Sequence, residues 1–205
     1  TNRKWETLAT TGFGDPPPIN QWIAVKLKVI GSSIELFVNE VKVCTATTNV
    51  LKSQIGILFQ SNTEITVRNF SVESNKPQAF VVMQFTEEFN SLYKDVIMPT
   101  CESFGYNVIR ADDNYGSGLI IEDITRSIKE SSIIIADITP DNLNVFYEVG
   151  YAHGIGKPTI LLSDRRREKL PFDVSGFRTL FYDNTIGGKA AVEDRLKKHL
   201  ENIVI

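Results

Sequence analysis

SIIIADITPDNLNVFYEVGYAHGIGKPTILL, Ser132 to Leu162, holds the pattern that decides the fold. Ser132 to Ile138 is an unbroken apolar run ended by Asp137 and Ile138, as a strand buried on both faces requires. Val145 to His153 repeats its apolar residues with a helical period and stops near Gly154. Lys157 to Leu162 is a second apolar run. Strand, helix and strand in so short a span form the crossover unit of a parallel sheet.

The alternation continues on both sides of this unit. Upstream, Phe80 to Phe85 reads as a buried strand. Glu87 to Phe104 reads as a helix with Phe89, Leu92, Tyr93, Val96 and Ile97 on its apolar side. Pro99 is expected to kink it, and Gly105 suits its end. Tyr106 to Arg110 is a strand and Ile120 to Lys129 a helix. Downstream, Arg178 to Tyr182 is a strand and Val192 to Ile203 the last helix. Five strands alternating with helices predict an α/β fold, a doubly wound, flavodoxin-like parallel sheet.

Before Phe80 the period drops to two. Trp22–Val29, Ile34–Val38, Val41–Cys44, Gln54–Phe59 and Ile65–Val72 read as five short antiparallel strands. Thr10 to Pro18 is irregular, with three consecutive prolines. The expected division is residues 1–75, a partial β-sandwich, and 76–205, the α/β unit, joined by Ser74 to Gln78. A half-sandwich leaves an unpaired edge. Its missing strands are expected upstream or from another chain, so association into a homo-oligomer is the companion expectation.

Composition excludes several classes. The chain has 205 residues, 42% hydrophobic and 23% charged, with net charge −3, so no basic field recruits nucleic acid or an anionic membrane. Residues 1–77 carry eight Lys/Arg against six Asp/Glu, and the rest carries fourteen against nineteen. The two cysteines, Cys44 and Cys101, lie in different halves and make neither a disulfide framework nor a zinc site. A reducing cytoplasm is the expected location. No apolar run reaches the ~18 residues of a membrane span.

In a doubly wound sheet, ligands bind beyond the carboxyl ends of the strands where the strand order reverses. Gln84 and Phe85 end the first α/β strand, and Asp112 follows the second. Asp137 ends the third, with Asn142 and Asn144 in the loop beyond it. Glu148 lies one helical turn past Asn144, on the same helix side. A strand end and the adjoining helix are thus expected to bring Asp137 and Glu148 to one pocket. Tyr147 or Phe146, flanking the glutamate, is a candidate to stack on a base. Ser117, with the amides near Gly116 and Gly118, is a candidate phosphate contact at a helix start. Arg165-Arg166-Arg167 reads as a solvated loop rather than a phosphate clamp.

The run Ala136 to Pro158 resembles the signature "ADLT-x-x-N-x-N-V-x-Y-E-x-G-x-A-x-x-x-x-K-P" of nucleoside 2-deoxyribosyltransferase-like proteins. Their relatives include nucleotide N-glycosidases and, more distantly, TIR domains that cleave NAD. Phe80 to Phe85 resembles their "F-V-x-M-P-F" strand, with Gln84 where proline is usual. Pro171-Phe172-Asp173 and Arg178 resemble a late "P-F-D…R" element. The resemblance covers Phe80 to Ile205 and implies a TIR-like α/β fold. It also implies an N-glycosidase with Glu148 as nucleophile, Asp137 as the catalytic-site acid that holds the sugar or assists proton transfer, and Asn144 in the pocket. The implied ligand is a nucleoside, nucleotide or NAD-like small molecule, with no metal or cofactor, and a signal-activated NAD-depleting effector is one form. A nucleotide-sensing or TIR-like assembly module without turnover is the alternative. In the N-terminal half, Ile34–Asn39, Gln54–Leu58 and Val67–Val72 resemble motifs of concanavalin-like (LamG-type) jelly rolls.

Overall fold

A computed structural model of the chain describes residues 7–12, 19–48, 55–58, 61–111 and 119–203. The decisive run forms β6 (Ile133–Asp137), α4 (Leu143–Gly154) and β7 (Thr159–Asp164). Around it lie β4 (Gln78–Val82), β5 (Asn107–Arg110) and β8 (Thr179–Tyr182), with helices α3 (Ile120–Glu130), α5 (Phe172–Ser175) and α6 (Ile186–Asn202). All five strands are parallel, in the order β5-β4-β6-β7-β8. The α/β expectation is met: a five-stranded doubly wound sheet. The order reverses between β4 and β6, so the switch-point crevice lies beyond their carboxyl ends.

Alternate residues of each buried strand serve opposite cores. Ala79, Val81, Ile133 and Ile135 pack with Phe89, Val96, Ile97, Val192 and Leu196. Phe80, Val82, Ile134 and Ala136 pack with Ile128, Val145, Val149 and Ala152. One core is thus covered by the segment after β4 together with α6, the other by α3 and α4.

The helix after β4 departs from expectation in an instructive way. It runs as α1 (Glu87–Leu92), a π-helical turn (Tyr93–Ile97) and α2 (Met98–Ser103). Pro99 lacks the N–H that an α-register needs and its ring crowds the carbonyl four residues back. The chain answers by widening one turn, with the Met98 N–H donating to the Tyr93 carbonyl. The helix continues through the proline instead of breaking.

The N-terminal half holds fewer strands than its alternation suggests. Among the described residues three pair, antiparallel: β1 (Val25–Ile30), β2 (Ser33–Val38) and β3 (Val41–Thr47). Asn39 and Glu40 both have positive φ in the tight β2–β3 turn. Residues 55–58 and 61–72 join no ladder among the described residues; Gln54 and Phe59 lie outside them. A period-two pattern makes a strand only where a neighbour supplies hydrogen bonds. In the three-stranded sheet, Val25, Leu27 and Val29 pair with Val38, Leu36 and Ile34, so one face is apolar. Among the described residues no second layer covers it: Val25 is 67% and Leu27 62% exposed.

A sheet of three short strands with one bare apolar face is marginal alone. A fragment of residues 1–75 is therefore expected to aggregate or self-associate, while residues 76–205 stay soluble and melt cooperatively by circular dichroism. A monomeric, cooperatively melting 1–75 fragment would contradict the proposed boundary.

Candidate functional site

Two loops meet at the switch point. Gln84 follows β4, and Asn142 precedes α4. The Asn142 side-chain amide donates to the Gln84 Oε1 at 3.4 Å. Asn142 Oδ1 accepts the N–H groups of Asn144 (3.0 Å) and Val145 (3.4 Å), capping α4. Asn142 thus fixes both where α4 starts and how it sits beside β4. The Asn144 side chain is exposed.

Glu148 lies in the second turn of α4, among Val145, Val149 and Ala152, which face the sheet. It is 8% exposed. Among the described residues no hydrogen bond or ion pair reaches its carboxylate. Burial alone pushes its pKa up to about 7, because the apolar surroundings disfavour the charged form and nothing offsets them. Such a group is poised to change charge near neutrality. Tyr147, beside it, is 53% exposed, while Phe146 packs on the α3/α4 core with Arg167 5.7 Å above its ring.

Asp137 is placed differently from the sequence expectation. It continues the series Ile133, Ile135, which serves the opposite core. Its Oδ2 accepts the Tyr182 hydroxyl at 2.6 Å, and Oδ1 accepts the Thr139 N–H (2.9 Å) and hydroxyl (2.5 Å). At 1% exposure it offers no surface to a ligand. Burial, the largest effect, holds its pKa above the ordinary carboxylate value, and the hydrogen bonds from Thr139 and Tyr182 offset only part of that rise. The pleat thus turns Asp137 toward Tyr182 and the core opposite the one that α4 covers. Asp137 and its donors tie the ends of β6 and β8 together. The Thr139 hydroxyl extends the tie to β7 by accepting the Asp164 N–H at 2.9 Å.

Phe85 is half exposed and rests 5.0 Å from the Arg110 guanidinium, which also lies 4.4 Å from the Tyr93 ring and donates to Asn90 Oδ1 at 2.7 Å. This cluster lies on the α1 side of the strand ends. Asp112 and Ser117 lie outside the described residues. The three consecutive arginines each face a carboxylate: Arg165 to Asp183, Arg166 to Asp164 and Glu88, Arg167 to Asp141. Their charge is spent within the chain. A shallow groove beyond β7, lined by Asp141, Arg167, Leu170, Pro171 and Phe172, contains neither Gln84 nor Glu148. The groove is thus separate from the buried Glu148 carboxylate.

Among the described residues no group of three or more His, Cys, Asp or Glu is placed to hold a metal ion, and no helix is long and apolar enough to cross a membrane. Neither a family model nor a curated protein matches the sequence. Among solved structures, the chain is similar to the TIR domain of a Toll-related receptor from Hydra magnipapillata. The identity is 15%, over 61% of this chain and 96% of that one, with a TM-score of 0.48. It is also similar to a putative pilus assembly-related protein from Burkholderia pseudomallei, with 12% identity over 66% of this chain and 98% of that one, and a TM-score of 0.38.

Proposed function

We propose that the α/β half cleaves, or transfers from, the N-glycosidic bond of a nucleoside, nucleotide or NAD-like ligand, with Glu148 as the nucleophile. The observation that carries this reading is the nearly buried Glu148 carboxylate, without a partner among the described residues, on the helix that Asn142 caps beside Gln84. Loss of the base leaves positive charge on the sugar, as in glycoside hydrolysis. A desolvated carboxylate with no competing cation stabilises that charge strongly and can bond to the anomeric carbon. The electron pair of the broken C–N bond leaves with the base. Water, or an acceptor base, then displaces the carboxylate from the sugar. Gln84 and Asn142 are the proposed hydrogen-bonding groups for the sugar and Tyr147 the exposed ring for the base. Asn144, on the Glu148 side of α4, is the proposed pocket asparagine. The resemblance of Ala136 to Pro158 to nucleoside 2-deoxyribosyltransferase-like proteins supports the same assignment of Glu148.

The reading has a definite pH signature. A nucleophile must be ionised, so kcat/KM for the free enzyme is expected to fall as pH drops through about 7. The test is release of free base from a panel of nucleosides, nucleotides and NAD, followed from about pH 5.5 to 8.5 by chromatography. A rate that instead rises toward acid would make Glu148 a general acid. No release from any panel member, with saturable nucleotide binding retained, would favour a sensing module.

A further inference from the structure

The β1–β2 turn does not end in solvent. Gly31 and Ser32 lie against the corner where α3 ends and β6 begins. Gly31 has φ +57°, and a Cβ there would stand 2.4 Å from the Ser131 carbonyl oxygen and 2.6 Å from that of Glu130. Ser32 is 2% exposed. Its N–H donates to the Lys129 carbonyl at 3.1 Å and its hydroxyl to the same oxygen at 3.3 Å. Lys157 Nζ reaches that oxygen too, at 2.7 Å, and donates also to the Ser131 carbonyl. These carbonyls are the ones a helix C-terminus leaves without partners, and an ammonium suits the negative end of the helix dipole.

Lys157 is 5% exposed and pairs with no carboxylate among the described residues. Its own N–H donates to the Ala152 carbonyl at 2.9 Å, closing the end of α4 one turn beyond Glu148. From the other side, the Gln78 side-chain amide donates to Ser131 Oγ at 2.9 Å. The first residue of β4, the ends of α3 and α4 and the N-terminal sheet therefore converge on a few atoms.

We infer that this is a docking joint, with the Gly31–Ser32 turn as its key and Lys157 as its tie. Among the described residues, the hydrogen bonds from the N-terminal sheet to the α/β half run through this small, polar, glycine-dependent seat. Such a seat is lost with one or two side chains, while each half keeps its own hydrogen-bond ladders. Because Lys157 also terminates α4, seating of the turn and the position of the helix that carries Glu148 are linked. The inference concerns the joint itself, and its readout does not depend on base release.

Amide exchange in the full chain tests it. The Ser32 N–H is protected only while the turn is seated. In the native protein it is expected to exchange roughly 10²-fold or more slowly than an open amide, as a secured hydrogen bond does. Gly31→Val is expected to remove that protection, while amides of the β1–β2 ladder stay protected. Lys157→Met, which leaves the N-terminal sheet untouched, is expected to lower Ser32 protection as well, and Lys157→Arg to restore part of it. A Ser32 amide that exchanges freely in the native chain overturns the inference. So does unchanged Ser32 protection in both Gly31→Val and Lys157→Met. If the valine variant loses its ladder too, the native and Lys157→Met measurements still decide.

Discussion

Replacing Glu148 by Gln is expected to abolish base release and, in the same protein, to raise the melting temperature. The sign follows from the folded-state pKa of about 7, above the ordinary carboxylate value of 4.5. The native state binds the carboxyl proton more tightly than the unfolded chain, so native stability falls as pH rises through that window. Above pH 7 the ionised glutamate costs on the order of 3 kcal/mol. Gln keeps the shape and removes the charge. At pH 8 the variant is expected to melt roughly 5–10 °C higher, the usual shift for a change of that size in a chain this long. At pH 4.5 the two proteins are expected to melt together. A variant that retains turnover, or that gains no stability at pH 8, would remove Glu148 from its role.

Asp137→Asn is expected to do the opposite: a large loss of stability. Asn presents an amide NH₂ where the wild type has an acceptor, so at least one of the Thr139 and Tyr182 donors loses its partner. A buried donor left unsatisfied costs ~1–3 kcal/mol, more where the lost acceptor was charged. The domain melt is expected to drop by roughly 5–10 °C. Activity per folded molecule is expected to fall far less than the ~10²–10⁴-fold of a positioned acid–base group. A loss in that range with an unchanged melt would return Asp137 to the catalytic machinery.

The sheet was legible because its strands are unbroken apolar runs, and burial on both faces leaves no other reading for Ile133 to Asp137. What escaped was set by tertiary detail. The last helix, expected from Val192, starts earlier, at Ile186, ahead of Gly187-Gly188. In the fold, Thr185 Oγ1 accepts the Gly188 N–H at 3.0 Å, and a Cβ on Gly188 would stand 1.8 Å from the Asp183 carbonyl oxygen. Glycine there permits the helix start rather than ending the helix. Strand alternation in residues 65–72 was visible, but the absence of a partner strand was not. Glu148 was recognisable from its neighbours in sequence. The partners of Asp137 were not legible, because a strand-end acid can face either core and the pleat decides which. The signal was present in the parity of Ile133, Ile135 and Asp137, yet its meaning needed the partner, Tyr182, 45 residues away.

The strand order also sets a schedule for a chain made from its N-terminus. β4 pairs with β5 on one side and β6 on the other. When β5 leaves the ribosome the second edge of β4 is still open, and residues 111–132 must be made before β6 can close it. At roughly 5–20 residues per second that interval is about 1–4 s. Throughout it, Ala79-Phe80-Val81-Val82 stands as an unpaired apolar edge, the kind that captures other nascent chains. Synthesis that pauses between Ala111 and Ser132 would lengthen the exposure, and the yield of folded protein should track the codon speed of that one stretch.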